Sequence, residues 1–344
     1  MKLALLVAIW VAGCGGASNE DPDLGPPATV IARPISEGSV NPRLLRRFRP
    51  LRKHAPMSDA VLAARIELGK QLFFDPRLSR DGDVSCNSCH PLDRGGADGT
   101  KRSTGTDGAI GLRNTPTVYN AAWQVSYFWD GRASTLEFQV AGPLLGSNEM
   151  GLQDKKAVGE ILRGIRGYAA PFRAAFPRDA DPLGFENVTR AIAAFQRTLL
   201  TPSRWDRYLE GDRRALDRTE LDGMKLFANL GCVSCHTGEL VGGSMFAYVG
   251  IKSPWPNQLD QGRFALTGDE EDRMRFKVPT LRNVTRTAPY FHDGSVTELS
   301  RAVQMMARHQ LGIEISERET TAIVAWLGTL AGESGMTVEA PELP

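Results

Sequence analysis

The sequence predicts a mainly α chain folded as two small helical domains of one kind, and three observations predict it. The stretch Cys86-Asn87-Ser88-Cys89-His90 returns 146 residues later as Cys232-Val233-Ser234-Cys235-His236. Each copy follows a related segment, Glu67-Leu68-Gly69-Lys70-Gln71-Leu72-Phe73 in the first half and Leu221-Asp222-Gly223-Met224-Lys225-Leu226-Phe227 in the second. Around both, apolar residues recur at helical spacing. A weak repeat of this kind reads as one structural unit used twice.

C-x-x-C-H is the attachment signature of a c-type haem. Two thiols one helical turn apart reach the two vinyl groups of one porphyrin and become thioethers, and the adjacent His lies under the iron as its proximal ligand. Two C-x-x-C pairs could instead hold zinc through four thiolates or form redox disulfides. Neither alternative explains why His follows the second Cys both times. The residues therefore point to two covalently bound c-type haems, on Cys86, Cys89 and His90 and on Cys232, Cys235 and His236.

The 344 residues suffice for two domains. A hydrophobic content of 42% and a charged content of 24% are those of an ordinary globular protein. The net charge of +1 implies no polyanion-binding face, so no nucleic-acid partner is expected. Lys2, the apolar run Leu3–Val11 and Ala12-Gly13-Cys14 read as an export signal, and the run is too short to span a membrane. Val11-Ala12-Gly13-Cys14 is similar to a bacterial lipobox with Cys14 as the lipidated residue; the alternative is an ordinary signal peptide with an incidental Cys. Of five cysteines, four serve the haem motifs, and the fifth sits where lipidation needs it. Both readings export the chain, which suits c-type haem attachment, and the lipobox predicts a periplasmic protein held to the membrane by a lipid anchor alone.

In chain order, 1–14 is the signal and 15–57 a Gly-, Pro- and Arg-rich tether and extended arm, with His54 as a surface residue. The first haem domain is expected over 58–202. Its first helix carries Val61, Leu62, Ile66, Leu68 and Leu72, and Pro76 stops it. Residues 91–118 read as a long loop of the kind that is usually functional or disordered. Helices follow at 134–141, 154–165, 169–176 and 185–200, and Pro202-Ser203 marks the joint. The second domain, 203–333, opens on the capping pattern Asp217-x-x-Glu220. Residues 240–296 read as loops with short strands, and helices follow at 297–308 and 316–331, the last opened by Ser316-x-x-Glu319. The tail, 334–344, is expected to fray.

The sixth ligand decides what a haem iron does. None of the five histidines lies between 91 and 235, so the first haem has no evident distal His from its own domain. In the second domain Met306 follows Phe291-His292-Asp293-Gly294, and a Met thioether raises a haem's potential. The bland role for a Met on a helix is core packing, which is assigned to Met305. His309 is expected at the surface.

The chain resembles the bacterial di-haem cytochrome c peroxidases over roughly residues 58–330, a two-domain span. The residues that carry the likeness are Leu72–Ser79, Asn114–Thr117, Phe128-Trp129-Asp130-Gly131-Arg132, Ala141–Pro143, Asn148-Glu149-Met150-Gly151, Val278–Asn283 and Pro289–Gly294. The resemblance implies a mainly α fold with two cytochrome c-like haem domains in one chain. It implies that hydrogen peroxide is reduced to water with electrons from a small periplasmic donor, a cytochrome c or a cupredoxin. The haem on His90 would be the low-potential peroxidatic site. The haem on His236 and Met306 would receive the electrons, Met306 lying 14 residues after His292 as in the family. Trp129 would relay between the haems, and Glu149 and Gln139 would form the acid–base pair. Asn114, with Thr287 and Pro289 through their carbonyls, would bind an interdomain calcium, which prefers oxygen ligands. Dimers are usual in the family.

Without the resemblance, Glu149 would read as a surface carboxylate in a Gly/Asn turn and Trp129 as a core aromatic. The chain departs from the pattern at Thr106, where the best-known members carry a removable distal His. The related di-haem enzyme that matures the tryptophylquinone of methylamine dehydrogenase also lacks that His, but it has Tyr where this chain has Met306. The rival readings are a di-haem oxidase that modifies a partner protein and a non-catalytic electron carrier.

Overall fold

The structure, a computed structural model, describes residues 40–52, 59–333 and 338–344. Cys14, the signal, most of the tether and His54 lie outside the described residues. Helix α1 (Ala60–Phe74) starts where the Asp59 carboxylate accepts the N–H groups of Val61 and Leu62, and it ends ahead of Pro76. The expected helices of the first half follow as α2 (Leu136–Leu145), α3 (Lys155–Gly164), α4 (Ala169–Ala175) and α5 (Phe185–Thr198).

At the expected joint the chain forms a further short helix, α6 (Arg204–Leu209), nucleated by a capping box of Ser203 and Asp206. Helix α7 (Arg218–Leu230) has the Asp217/Glu220 box and stops at left-handed Gly231. After it come a two-stranded antiparallel ribbon, β1 (Phe246–Tyr248) with β2 (Arg275–Lys277), and α8 (Leu299–Met306). Helix α9 (Glu317–Gly328) is opened by the Ser316/Glu319 box.

There are two hydrophobic cores. In the first, α1 crosses α5, with α2 and α4 packed beside them; Leu68, Leu72, Phe73, Phe172, Val188, Ile192 and Phe195 fill it. In the second, α7 crosses α9, and Phe48, Trp205, Phe227 and Trp326 meet in an aromatic cluster. Each crossing is closed by a glycine of the repeated segment. A Cβ on Gly69 would overlap the Ala191 carbonyl oxygen of α5, and one on Gly223 would overlap the Ala322 carbonyl oxygen of α9. In both halves the helix axes can approach this closely only because the side chain is absent.

Three segments differ from expectation. The end of the arm is not extended over the surface: Val40 and Phe48 lie in the second core, with Phe48 edge-on to Trp205 at 5.3 Å. Burial of that ring outweighs the arm's polar composition, and the Leu51 N–H adds a 2.7 Å bond to Asp206. Asp206 in turn holds the fully buried Arg282 at 2.6 Å. Nor does the described tail fray, because Val338 packs against the first core. His309 is buried, at 2% exposure. The end of α8 widens into a π-helical turn, Ala307–Leu311, where the His309 ring meets Trp255 and lies 3.2 Å from the Ser253 carbonyl.

The crossings yield a stability prediction. Gly223→Ala forces α7 off α9 and should cost about 1–3 kcal/mol, the usual range for overpacking. Gly328→Ala, where an added Cβ meets nothing within 4 Å, should instead be neutral or stabilising by up to about 1 kcal/mol. Denaturant unfolding of the haem-loaded protein measures both.

Candidate functional site

Helix α1 delivers the chain to Cys86–Cys89, a single helical turn that presents both thiols and then His90. The second motif follows α7 directly, with Cys232–Ser234 as a tighter turn. Among the described residues the four motif cysteines form no disulfide. Among the described residues no three His, Cys, Asp or Glu side chains gather as a metal site, so the two Cys pairs do not meet as a four-thiolate zinc centre.

Each motif histidine is oriented the same way. His90 Nδ1 lies 3.1 Å from the Gly96 carbonyl, and His236 Nδ1 lies 3.2 Å from the Val241 carbonyl. Donation from Nδ1 fixes the tautomer and leaves the Nε2 lone pair for a metal. Burial holds both imidazoles neutral: it lowers the pKa of His90, and that of His236 to about 4. Burial likewise raises the Cys86 and Cys232 thiols to about 12.

Gly96 needs its left-handed backbone (φ 72°), and a Cβ there would press on the Tyr119 ring at 2.9 Å. In the second domain the same job falls to Val241, a β-branched residue held at φ 50°. Such a conformation is costly and tends to mark functional sites. The donor set of each motif, two thiols and a neutral imidazole with a free Nε2, fits a covalently attached haem.

The resemblance gave Gln139 and Glu149 an acid–base role at the first motif and Trp129 a relay role between the two motifs. Gln139 is half-buried on α2. Glu149 follows that helix, and its charge is felt at both Cys86 and Cys89, so it stands beside the first motif. Burial raises its pKa above the ordinary value of 4.5, and the Arg132 guanidinium opposes that rise. A glycine again makes the room: a Cβ on Gly146 would lie 2.5 Å from Glu149 Oε2, and one on Gly142 would lie 3.1 Å from the Phe128 ring.

Arg132 received no role from the sequence. Left-handed Phe128 (φ 66°) and Gly131 (φ 69°) turn the chain back, so that the guanidinium lies over the Phe128 ring at 3.4 Å. That placement depends on backbone signs that spacing does not reveal.

Thr106 is fully buried and faces away from a ligand role. Its N–H donates to the Glu149 carbonyl at 2.8 Å. Its hydroxyl stands 2.7 Å from Asp81 Oδ2 and 3.0 Å from Asp83 Oδ1, and donates its one proton there. Gly105 lets the loop sit against residues 148 and 149, since a Cβ would meet the Glu149 carbonyl oxygen at 2.6 Å. The loop around Thr106 is thus docked on the backbone of Glu149.

Trp129 lies at the seam between the halves. Its indole N–H donates to the Asn114 carbonyl at 2.8 Å, and its own carbonyl accepts the Lys277 N–H at 2.8 Å. Its ring meets the edge of His292 at 6.3 Å, and His292 stacks on Phe276 at 4.3 Å. Arg113 ties the seam by binding Asp130 at 2.7 Å and Asp260 at 2.6 Å.

Met305 packs into the second core, whereas Met306, its neighbour at the start of the π turn, is not among the residues of that core. Of the residues named for calcium, Asn114 is buried, and its amide nitrogen donates to the Thr100 carbonyl at 3.0 Å, leaving the amide oxygen as the atom a cation would take. Thr287 ends a turn, with its hydroxyl 3.4 Å from the Val284 carbonyl, and Pro289 follows a cis peptide bond.

A family profile described as "Di-haem cytochrome c peroxidase" matches residues 63–214. The cytochrome c551 peroxidase of Nitrosomonas europaea is 45% identical over 269 residues, which are 78% of this chain and 80% of that protein. The methylamine utilization protein MauG of Methylorubrum extorquens is 34% identical over the whole of this chain and 99% of its own. The crystal structure of a MauG-like protein associated with microbial copper homeostasis superposes with a TM-score of 0.72 at 32% identity, covering 85% of this chain and 95% of the other.

Proposed function

The chain belongs to the di-haem cytochrome c peroxidase family, and from that premise we propose that it reduces hydrogen peroxide to water with electrons from a small periplasmic donor protein. Family membership brings two c-type haems. Cys86 and Cys89 would hold one and Cys232 and Cys235 the other, with His90 and His236 as proximal ligands. When bound, the haems supply one-electron transfer and an iron at which peroxide can be reduced.

The observation that carries the reading is Glu149, a half-buried carboxylate beside the first motif whose pKa is raised by desolvation. Peroxide takes up two electrons and two protons and leaves as two waters. Glu149 can accept the proton of one peroxide oxygen and return it to the other. Gln139, on the helix leading to Glu149, would orient the substrate. The Arg132 guanidinium opposes the rise that desolvation imposes on this carboxylate.

Trp129 would carry electrons across the seam, where its ring lies edge-on to His292. Met306 would ligate the second iron and raise its potential, which suits the haem that receives electrons. Asn114, Thr287 and Pro289 would bind calcium between the domains. The lipobox at Cys14 would anchor the protein in the periplasm; among the described residues no helix is long and apolar enough to cross a membrane.

Steady-state turnover of peroxide with reduced cytochrome c tests the function. We expect sustained turnover, whereas an electron carrier shows none and an oxidase of partner proteins shows little. Trp129→Phe should slow electron passage between haems while leaving peroxide binding intact.

The acid–base step has its own signature. The basic form of Glu149 exists above its raised pKa, so the rate should fall as pH drops through a value above 4.5, not at the ordinary glutamate value. Glu149→Gln should remove that limb and slow the reaction by roughly 10²–10⁴-fold. A limb that survives the substitution would exclude Glu149 from the step.

A further inference from the structure

Lys277 ends β2 with its side chain buried, at 7% exposure. An ammonium has three donors and no acceptor. Here it has one hydrogen bond, to the amide oxygen of Gln124, and no ion pair with any described residue. Burial lowers its pKa only to about 8, so the group remains largely charged at neutral pH. A buried charge held by a neutral amide alone is unfavourable, and such groups are normally paired. The described polypeptide supplies no counter-charge.

Its position says where one would come from. The Lys277 N–H donates to the Trp129 carbonyl. Gln124 backs onto Gly243, where a Cβ would lie 3.3 Å from Gln124 Cγ. The Gly243 N–H donates to the Val278 carbonyl at 2.8 Å, and two residues earlier Val241 receives the His236 Nδ1 bond. Lys277 thus stands between the loop that orients His236 and the tryptophan at the seam.

We propose that the Lys277 ammonium is the counter-charge of a propionate carboxylate of the second haem. The inference rests on the di-haem reading of the preceding subsection, since a haem bears two propionates and the motif at His236 places one haem beside this loop. A cation paired with a propionate offsets its negative charge, which otherwise favours the oxidised iron; charge and hydrogen bonding around a cofactor set its potential. Lys277 then belongs to the groups that keep the receiving haem at high potential, alongside Met306.

The test is a spectroelectrochemical titration of both haems in the wild type, Lys277→Met and Lys277→Arg, with the haem content of each measured. The potential of the second haem should fall in Lys277→Met and stay near the wild-type value in Lys277→Arg. Should Lys277→Met be recovered poorly, Lys277→Gln removes the same charge. Two haems with an unmoved second potential, or a shift confined to the first haem, overturns this inference and leaves the proposed function standing. Fewer than two haems in the wild type overturns the di-haem reading and this inference with it.

Discussion

The structure depends on two helix crossings that admit no side chain. Gly69 sits under the Ala191 carbonyl and Gly223 under the Ala322 carbonyl. Helices packed through bulky side chains lie 8–10 Å apart, and a glycine at the contact brings the backbones closer. Each crossing sets the direction in which α1 or α7 releases the chain, and the chain leaves each helix towards a C-x-x-C-H turn. The placement of both motifs relative to their cores follows from a missing methyl group in each half. The two crossings also explain the repeat, because the residues kept between the halves are those the crossing requires: Leu72-Phe73 and Leu226-Phe227 bury on the same face as their glycine.

Beyond the crossings, backbone carbonyls control the chemistry of the site. The carbonyls of Gly96 and Val241 orient two neutral imidazoles. That of Trp129 links the seam from one domain to the other by accepting the Lys277 N–H, and that of Glu149 receives the Thr106 loop. Such contacts constrain side-chain identity little, which is why some positions that receive them differ between the halves. A left-handed glycine serves in one domain and a left-handed valine in the other.

Much of this was legible in the sequence, and the limits have physical causes. The helices announced themselves through caps and periodicity: Asp217/Glu220 and Ser316/Glu319 form the boxes that their spacing implies. Local rules reach that far because a cap is a contact between residues three apart. The arm escaped because Phe48 is held by Trp205 and Trp326, more than 150 positions away in the chain. His309 escaped because a π turn shifts the register of the last turn of α8. The haem motifs needed no structure, whereas Arg132 and Lys277 did. One depends on the left-handed turn at Phe128, and the other on burial at a seam between segments distant in sequence.

Thr106 joins these threads. A removable ligand requires a loop with two stable positions. This loop is bound at its backbone to Glu149 and at its hydroxyl to Asp81 and Asp83, and a threonine hydroxyl is a poor ligand for haem iron. On the proposed reading the peroxidatic site is open from the start and needs no reductive activation. The most direct measurement is stopped-flow mixing of the fully oxidised protein with peroxide, beside its resting spectrum. The account predicts immediate reaction and one high-spin haem. Two low-spin haems, with no reaction until the second is reduced, would contradict it.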